Sequence, residues 1–172
     1  MEIESADWNV LRTRSRQENV VERALLQKQI PVFIPRISKA RPEVDHSKQT
    51  LGPLFPGYAF VKPAPEQFYS LRFIPGSCGL LMGRNGPGVI LQKELDSIRI
   101  LVKTNPPIDK HSELIPGTRV RVMMGPLSGL EGELVRLRNQ QRLVLNTKIL
   151  GQAISVEINI NEVCKVEPSR PE

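Results

Sequence analysis

The sequence predicts an α+β chain of two modules, an N-terminal α/β sandwich built on a mixed sheet and a C-terminal SH3-like β-barrel. Three observations carry this reading. Strand and helix signals alternate from Trp8 to Lys103, a polar stretch holding Pro106-Pro107 interrupts them, and five short strands separated by turn residues follow. Adjacent prolines lack backbone donors and continue neither a helix nor a central strand, so the boundary falls there. The expected modules are residues 1–103 and 116–168, joined by a flexible linker over 104–115 and followed by a tail at 169–172.

In the first module Trp8-Asn9-Val10-Leu11-Arg12 reads as a strand. Ser15 and Glu18 have the spacing of a capping box, and Val20, Val21, Ala24 and Leu25 recur on one face of a helix running to about Gln29. Pro31 ends it, and Val32-Phe33-Ile34 resumes as a strand. The polar residues 38–52 suggest an exposed hairpin or loop. Phe55-Pro56-Gly57 turns the chain into the strand Tyr58-Ala59-Phe60-Val61, and a short helix is expected from Pro65 to Arg72. Leu80-Leu81-Met82 and Val89-Ile90-Leu91 flank an Asn85-Gly86 hairpin signal. Gln92 to Lys103 forms the last helix, with Leu95, Ile98, Leu101 and Val102 on its inner face.

The second module alternates with the period of a half-buried strand in Thr118-Arg119-Val120-Arg121-Val122. Turn material at Gly125-Pro126-Leu127-Ser128-Gly129 follows, its glycines, with Gly132, supplying positive backbone dihedrals. Further strands are expected at Glu131 to Leu137, Leu143 to Thr147, Ala153 to Ile158 and Val163 to Val166.

Composition narrows the function. The net charge is +6, and residues 1–105 hold fifteen Lys and Arg against ten Asp and Glu, while 106–172 hold nine against eight. The positive field therefore sits on the first module, which is the part placed near nucleic acid. No segment has the roughly 20 apolar residues of a membrane span, and the acidic start Met1-Glu2-Ile3-Glu4 is not a secretory signal. Cys78 and Cys164, far apart and without ligand-spaced neighbours, read as buried thiols of a cytoplasmic protein, with neither metal nor cofactor implied. His46 and His111 lie in polar stretches with no nucleophile–base arrangement, and Gly83 to Gly88 lacks the spacing of a phosphate-binding loop, so no enzyme is expected.

Three stretches together resemble the NusG family, whose bacterial members join an NGN domain to a KOW domain. They are Trp8-Asn9-Val10-Leu11 leading into a helix, Leu54-Phe55-Pro56-Gly57-Tyr58-Ala59-Phe60-Val61, and Pro116 to Val122 running into Gly125 to Gly132. The resemblance implies a transcription elongation factor that binds RNA polymerase, suppresses pausing or termination, and recruits a second factor. It implies that Tyr58 and Phe60, with Phe55 and Trp8, help line an apolar cavity for the clamp helices of the largest polymerase subunit. It further implies that Arg12, Arg14 and Arg16 meet the backbone of the non-template DNA. Ile149, Leu150 and Gln152, in a turn of the KOW module, correspond to the family's contact with a ribosomal protein or Rho. Specialised paralogues of the RfaH type read a DNA sequence from the first helix and a nearby loop, where this chain has Ala24, Gln27, Gly76 and Ser77. Gln152 stands where housekeeping members commonly carry arginine, which leans towards a paralogue. In such paralogues the KOW module also resembles a helical hairpin, whereas Val120/Val122 and Ile154/Val156/Ile158 here favour strands. A KOW-containing RNA-binding or ribosome-associated protein is the alternative reading, which the near-neutral second module weighs against.

Overall fold

The structure, a computed structural model, describes residues 8–39 and 50–166. The middle of the 38–52 segment and the expected tail at 169–172 lie outside the described residues. The chain divides into two compact units after Gln92, rather than after residue 103.

The first unit is built from β1 (Trp8–Thr13), α1 (Glu18–Gln27), β2 (Val32–Phe33), β3 (Arg36–Lys39), β4 (Thr50–Pro53), β5 (Tyr58–Val61), β6 (Ser77–Leu80), β7 (Met82–Gly83), β8 (Gly86–Pro87) and β9 (Val89–Ile90). Its main sheet runs β2-β5-β1-β6, with β9 also paired to β1. A mixed sheet is expected, yet every pairing recorded in it is antiparallel. The reason is topological. The α1 crossover does make β1 and β2 run the same way, but β5 is inserted between them, so the parallel relation never becomes a parallel ladder.

One face of this sheet carries Leu11, Ala59 and Val61, which pack with Val21 and Leu25 of α1 and with Ile30, Ile34, Leu71 and Ile74. Val20, expected on the buried face of α1, is exposed, and Ala24 is half-buried. The apolar residues that matter are one helical turn apart, at 21 and 25. The segment read as a helix over 65–72 is two 3-10 turns, Pro65–Gln67 and Tyr69–Phe73. β3 and β4 pair as a hairpin, fastened to α1 by the Arg36 guanidinium, whose two terminal nitrogens reach Glu22 at 3.1 and 2.6 Å. The Asn85-Gly86 hairpin forms one residue out of the expected register, with Gly83 opposite Gly86 and Arg84-Asn85 as the loop.

The second unit carries most of α2 (Gln92–Thr104) and the strands β10 (Ile108–His111), β11 (Thr118–Val122), β12 (Glu131–Leu137), β13 (Gln140–Thr147), β14 (Gln152–Glu157) and β15 (Val163–Lys165). Its sheet is six-stranded and antiparallel, in the order β10-β14-β13-β12-β11-β15. Alternation turns Val120, Val122, Leu143, Leu145, Ile154 and Val156 into its core, and all are buried. Helix α2 belongs here through specific contacts: Ser97 Oγ accepts from the Glu131 amide at 3.3 Å and Thr104 Oγ1 donates to the Pro126 carbonyl at 3.3 Å. Within α2, Leu95, Ile98 and Leu101 are buried as expected, while Val102 is only partly so.

Strand β10 lies inside the stretch expected as a linker. Its four residues pair with β14, and side chains reinforce the ladder. Arg142 Nη2 reaches Asp109 at 2.8 Å and the Ser155 carbonyl at 3.0 Å, and His111 Nε2 lies 2.9 Å from Ser155 Oγ. The Asn146 amide then grips both the N–H and the carbonyl of Ile115, at 2.8 and 2.7 Å. Gly125 and Gly129 have positive φ as expected. Gly132 does not, and is needed for space instead, since a Cβ there would lie 2.5 Å from the Val144 carbonyl oxygen.

Candidate functional site

The strand β5 divides its side chains between the two faces of the sheet, with Tyr58 and Phe60 on the face away from Ala59 and Val61. Phe60 stands opposite Val10 of β1 and Phe33 of β2, and Tyr58 stands opposite Arg12. The Phe60 ring stacks on Phe33 with centroids 6.3 Å apart and meets the edge of Phe55 at 6.0 Å. Phe60, Phe55 and Trp8 are buried, whereas Tyr58 is half-buried. The four aromatic residues expected as one contact set therefore separate into three packing residues and one with an accessible ring. The reason is position along the strand: Tyr58 is at its first residue, where the partner on β1 is an exposed arginine rather than an aliphatic side chain.

Tyr58 is aimed by the turn that precedes it. Gly57 has φ +85°, a conformation that L side chains rarely adopt. Its carbonyl accepts from the Thr13 amide at 2.8 Å, and its N–H donates to Glu18 Oε1 at 2.9 Å. This overturns the expected Ser15–Glu18 capping box. Helix α1 begins at Glu18 itself, after Gln17, with no side-chain cap. Arg16 takes a left-handed φ of 60°, so the chain turns just before the helix and the Glu18 carboxylate crosses to the Phe55-Pro56-Gly57-Tyr58 turn. A carboxylate in the first turn of a helix is also favourably placed against the helix dipole.

Arg12, Arg14 and Arg16 are all exposed, on the end of β1 and on its connection to α1. The Arg14 amide donates to the Gly76 carbonyl at 2.8 Å, which ties that connection to the loop before β6. Among the described residues none of these three arginines takes part in an ion pair. Sequence reasoning missed a neighbouring cluster, Tyr69, Arg72 and Phe73. Its only signal was an aromatic-x-x-Arg-aromatic spacing inside a segment read as an ordinary helix.

In the second unit, Ile149 and Leu150 lie in a 3-10 turn, Lys148–Leu150, closed by Gly151 at φ 64°, and Gln152 opens β14. All three side chains are half-buried. The β11–β12 connection leaves the same end of the sheet and exposes Met123 and Met124. Close by, Glu131 binds Arg121 and Arg119 across β11 and β12. The hydrogen bond from Arg121 holds the Glu131 carboxyl below its ordinary range, although partial burial opposes this.

Both cysteines are free and exposed, on outward positions of β6 and β15, where buried thiols are expected. Among the described residues no group of three His, Cys, Asp or Glu is placed to hold a metal ion, and no helix is long and apolar enough to cross a membrane.

Comparison with known proteins places this arrangement. The family described as "Transcription termination factor nusG" matches residues 6–99. The chain is 25% identical to the transcription termination/antitermination protein NusG of Rickettsia bellii, over 95% of this chain and 92% of that one. It is 26% identical to the NusG of Rickettsia prowazekii, over 92% and 89%. The solved structure described as "Domain interaction in Thermotoga maritima NusG" has the same fold, with a TM-score of 0.52 at 20% identity over 94% of this chain and 97% of that one. An NGN-like α+β unit followed by an all-β unit is the family's organisation, and the family is one of non-enzymatic transcription factors. The chain belongs to the NusG family of transcription termination/antitermination factors.

Proposed function

We propose that this chain is a transcription elongation factor that docks on RNA polymerase with Tyr58 and recruits a second factor through its C-terminal unit. The observation that carries the docking surface is the placement of Tyr58. Tyr58 is only partly buried, at the start of a strand whose next aromatic, Phe60, is buried and packs against Phe33 and Phe55. A large ring held on a rigid element loses little entropy on binding, which suits an anchor for the clamp helices of the largest subunit. Phe60, Phe55 and Trp8 are buried and serve as packing residues of the same unit. Arg12, Arg14 and Arg16 lie beside Tyr58 and meet the backbone of the non-template strand.

We take the first unit, which ends at Gln92 within the expected 1–103, as the polymerase-binding module and the strands within 116–168 as the core of the KOW module, with Ile149, Leu150 and Gln152 contacting a ribosomal protein or Rho. Tethering that contact to a polymerase-bound module raises its effective concentration, and the outcome is suppression of pausing or termination. The test is a single-round transcription assay on a pausing template with the full chain, alongside retention on core polymerase. Tyr58→Ala is expected to lose both retention and the effect on pausing. A chain that binds RNA tightly while ignoring polymerase would support the RNA-binding alternative.

A further inference from the structure

The segment 108–117 is fastened to the sheet of the second unit by polar bonds rather than by packing. β10 adds its residues to the edge of β14, with Asp109 opposite Ser155 and His111 opposite Ala153. Arg142 of β13 donates from Nη2 to Asp109 at 2.8 Å and to the Ser155 carbonyl at 3.0 Å. Further along, the Asn146 amide holds the N–H and carbonyl of Ile115 at 2.8 and 2.7 Å. Glu133 Oε2 then accepts from the Gly117 amide at 2.6 Å. Ile108 and Ile115 are only half-buried, and the segment places no residue in the core. A segment held by a few polar bonds with little apolar burial belongs to the low-stability end of a fold and opens by itself.

One of these bonds depends on where a proton sits. Ser155 is fully buried, and its Oγ accepts from Arg142 Nε at 3.3 Å and Nη2 at 3.2 Å. With Arg142 supplying the donors, the hydroxyl has its own proton to give. His111 Nε2, 2.9 Å away, is the acceptor recorded for it among the described residues. The hydrogen-bond pattern therefore assigns a neutral ring with its proton on Nδ1. A proton taken up at Nε2 turns that acceptor into a donor. The Ser155 hydroxyl hydrogen is then buried without a partner, and an imidazolium faces the Arg142 guanidinium across the same oxygen. The surrounding carboxylates are engaged or open to water. Asp109 is bonded to Arg142 and Glu133 to Gly117, while Glu113 is exposed, as is Glu157, opposite Arg142 on β14. Lys110 leaves the other face of β10.

We propose that the segment 108–117 is a pH-gated strap, closed on the edge of β14 while His111 is neutral and released when His111 takes up a proton. Imidazole is the side chain whose charge changes between about pH 5 and 8. The closed state needs the neutral ring, so it belongs to the upper end of that range and is lost towards the lower end. Release lengthens the link between α2 and β11 from residues 105–107 to residues 105–117. It also uncovers the hydrogen-bonding edge of β14 that β10 occupies.

The test follows amide hydrogen exchange of the full chain, residue by residue, at about pH 8 and about pH 5.5, corrected for the intrinsic rate at each. Protection over Ile108–His111 is expected to fall by about tenfold at the lower value, the scale of one buried hydrogen bond, while β12 and β13 keep theirs. Nitrogen-15 imidazole shifts at the higher value are expected to place the His111 proton on Nδ1. His111→Gln keeps an acceptor that does not titrate, and is expected to hold the strap closed at both values. Asn146→Ala removes the far clasp and leaves the imidazole in place, so it is expected to lower protection at both values and to retain the pH dependence. Equal protection of the native strap at the two values overturns the proposal, as does an equal fall in His111→Gln. A proton on Nε2 at the higher value overturns it as well. Loss of protection in β12 and β13 together with the strap overturns it in favour of global unfolding. The native comparison and the imidazole shifts stand even where a variant fails to fold.

Discussion

The Glu18 carboxylate, at the first residue of α1, accepts the backbone N–H of Gly57 at 2.9 Å. One hydrogen bond thereby joins the start of a helix to the turn that aims Tyr58, across 39 residues of sequence.

Removing the Glu18 acceptor leaves the Gly57 N–H without its partner. Glu18→Ala is expected to cost about 1–3 kcal/mol in urea unfolding and to weaken polymerase binding as well. Glu18→Gln keeps an acceptor and should retain most of both. Equal losses in the two variants would show that the charge, not the acceptor, holds the turn.

Tyr58 and Phe60 should separate cleanly although they are two residues apart. Phe60→Ala removes a buried ring packed on Phe33 and Phe55 and is expected to cost about 3–5 kcal/mol. Tyr58→Ala should cost under about 1.5 kcal/mol yet reduce polymerase affinity at least tenfold. Calorimetry paired with a polymerase binding titration checks this, and a collapse of the Tyr58→Ala thermal transition would make Tyr58 a packing residue.

The Glu131 carboxyl is held below its ordinary range by Arg121 and then Arg119. A carboxylate whose folded pKa is depressed contributes stability that is present above its unfolded value, around 4.3 for glutamate, and lost as pH falls through the folded value. The second unit should therefore weaken progressively below about pH 4.3. Glu131→Gln should flatten that dependence, as read from urea midpoints between neutral and acid pH. An unchanged pH slope in the variant would remove Glu131 from the acid response.

Ile149→Ala with Leu150→Ala is expected to abolish capture of the second partner while leaving polymerase retention and the pausing effect intact. Both side chains are half-buried in a short turn, so the cost in stability should stay near about 1–2 kcal/mol in total. Size-exclusion with polymerase and the partner together reads the two contacts separately.

Features set by neighbours in sequence are legible in the sequence itself. The alternation of Thr118–Val122 and the Phe-Pro-Gly entry to β5 both depend on local chemistry, and both appear where expected. Features set by distant partners are not. Ser15 and Glu18 carry the right residues for a capping box, but the Gly57 amide competes for the carboxylate and nothing near Glu18 announces it. Ile108–His111 is short and polar, and becomes a strand because β14 supplies its ladder and Arg142 its side-chain clasp. In the candidate site, the alternation puts Tyr58 and Phe60 on one face of the strand but does not separate the partly buried ring from the buried one, because equal alternation does not reveal which end of a strand is covered. Tyr69 to Phe73 form a 3-10 turn where the residue types suggest an α-helix, so the side chains left exposed do not follow an α-helical period.

The position of β1 has a consequence for how the protein is made. Trp8–Thr13 pairs with strands at residues 58–61, 77–80 and 89–90, so this strand is made well before any of its partners and its pairing is complete only once residue 90 has been made. At typical translation speeds it waits roughly 4–15 s for its neighbours. Until the first of these partners is made, a stretch as apolar as Trp-Asn-Val-Leu has no ladder to join, which makes the nascent strand, rather than the finished surface, the natural client for a chaperone.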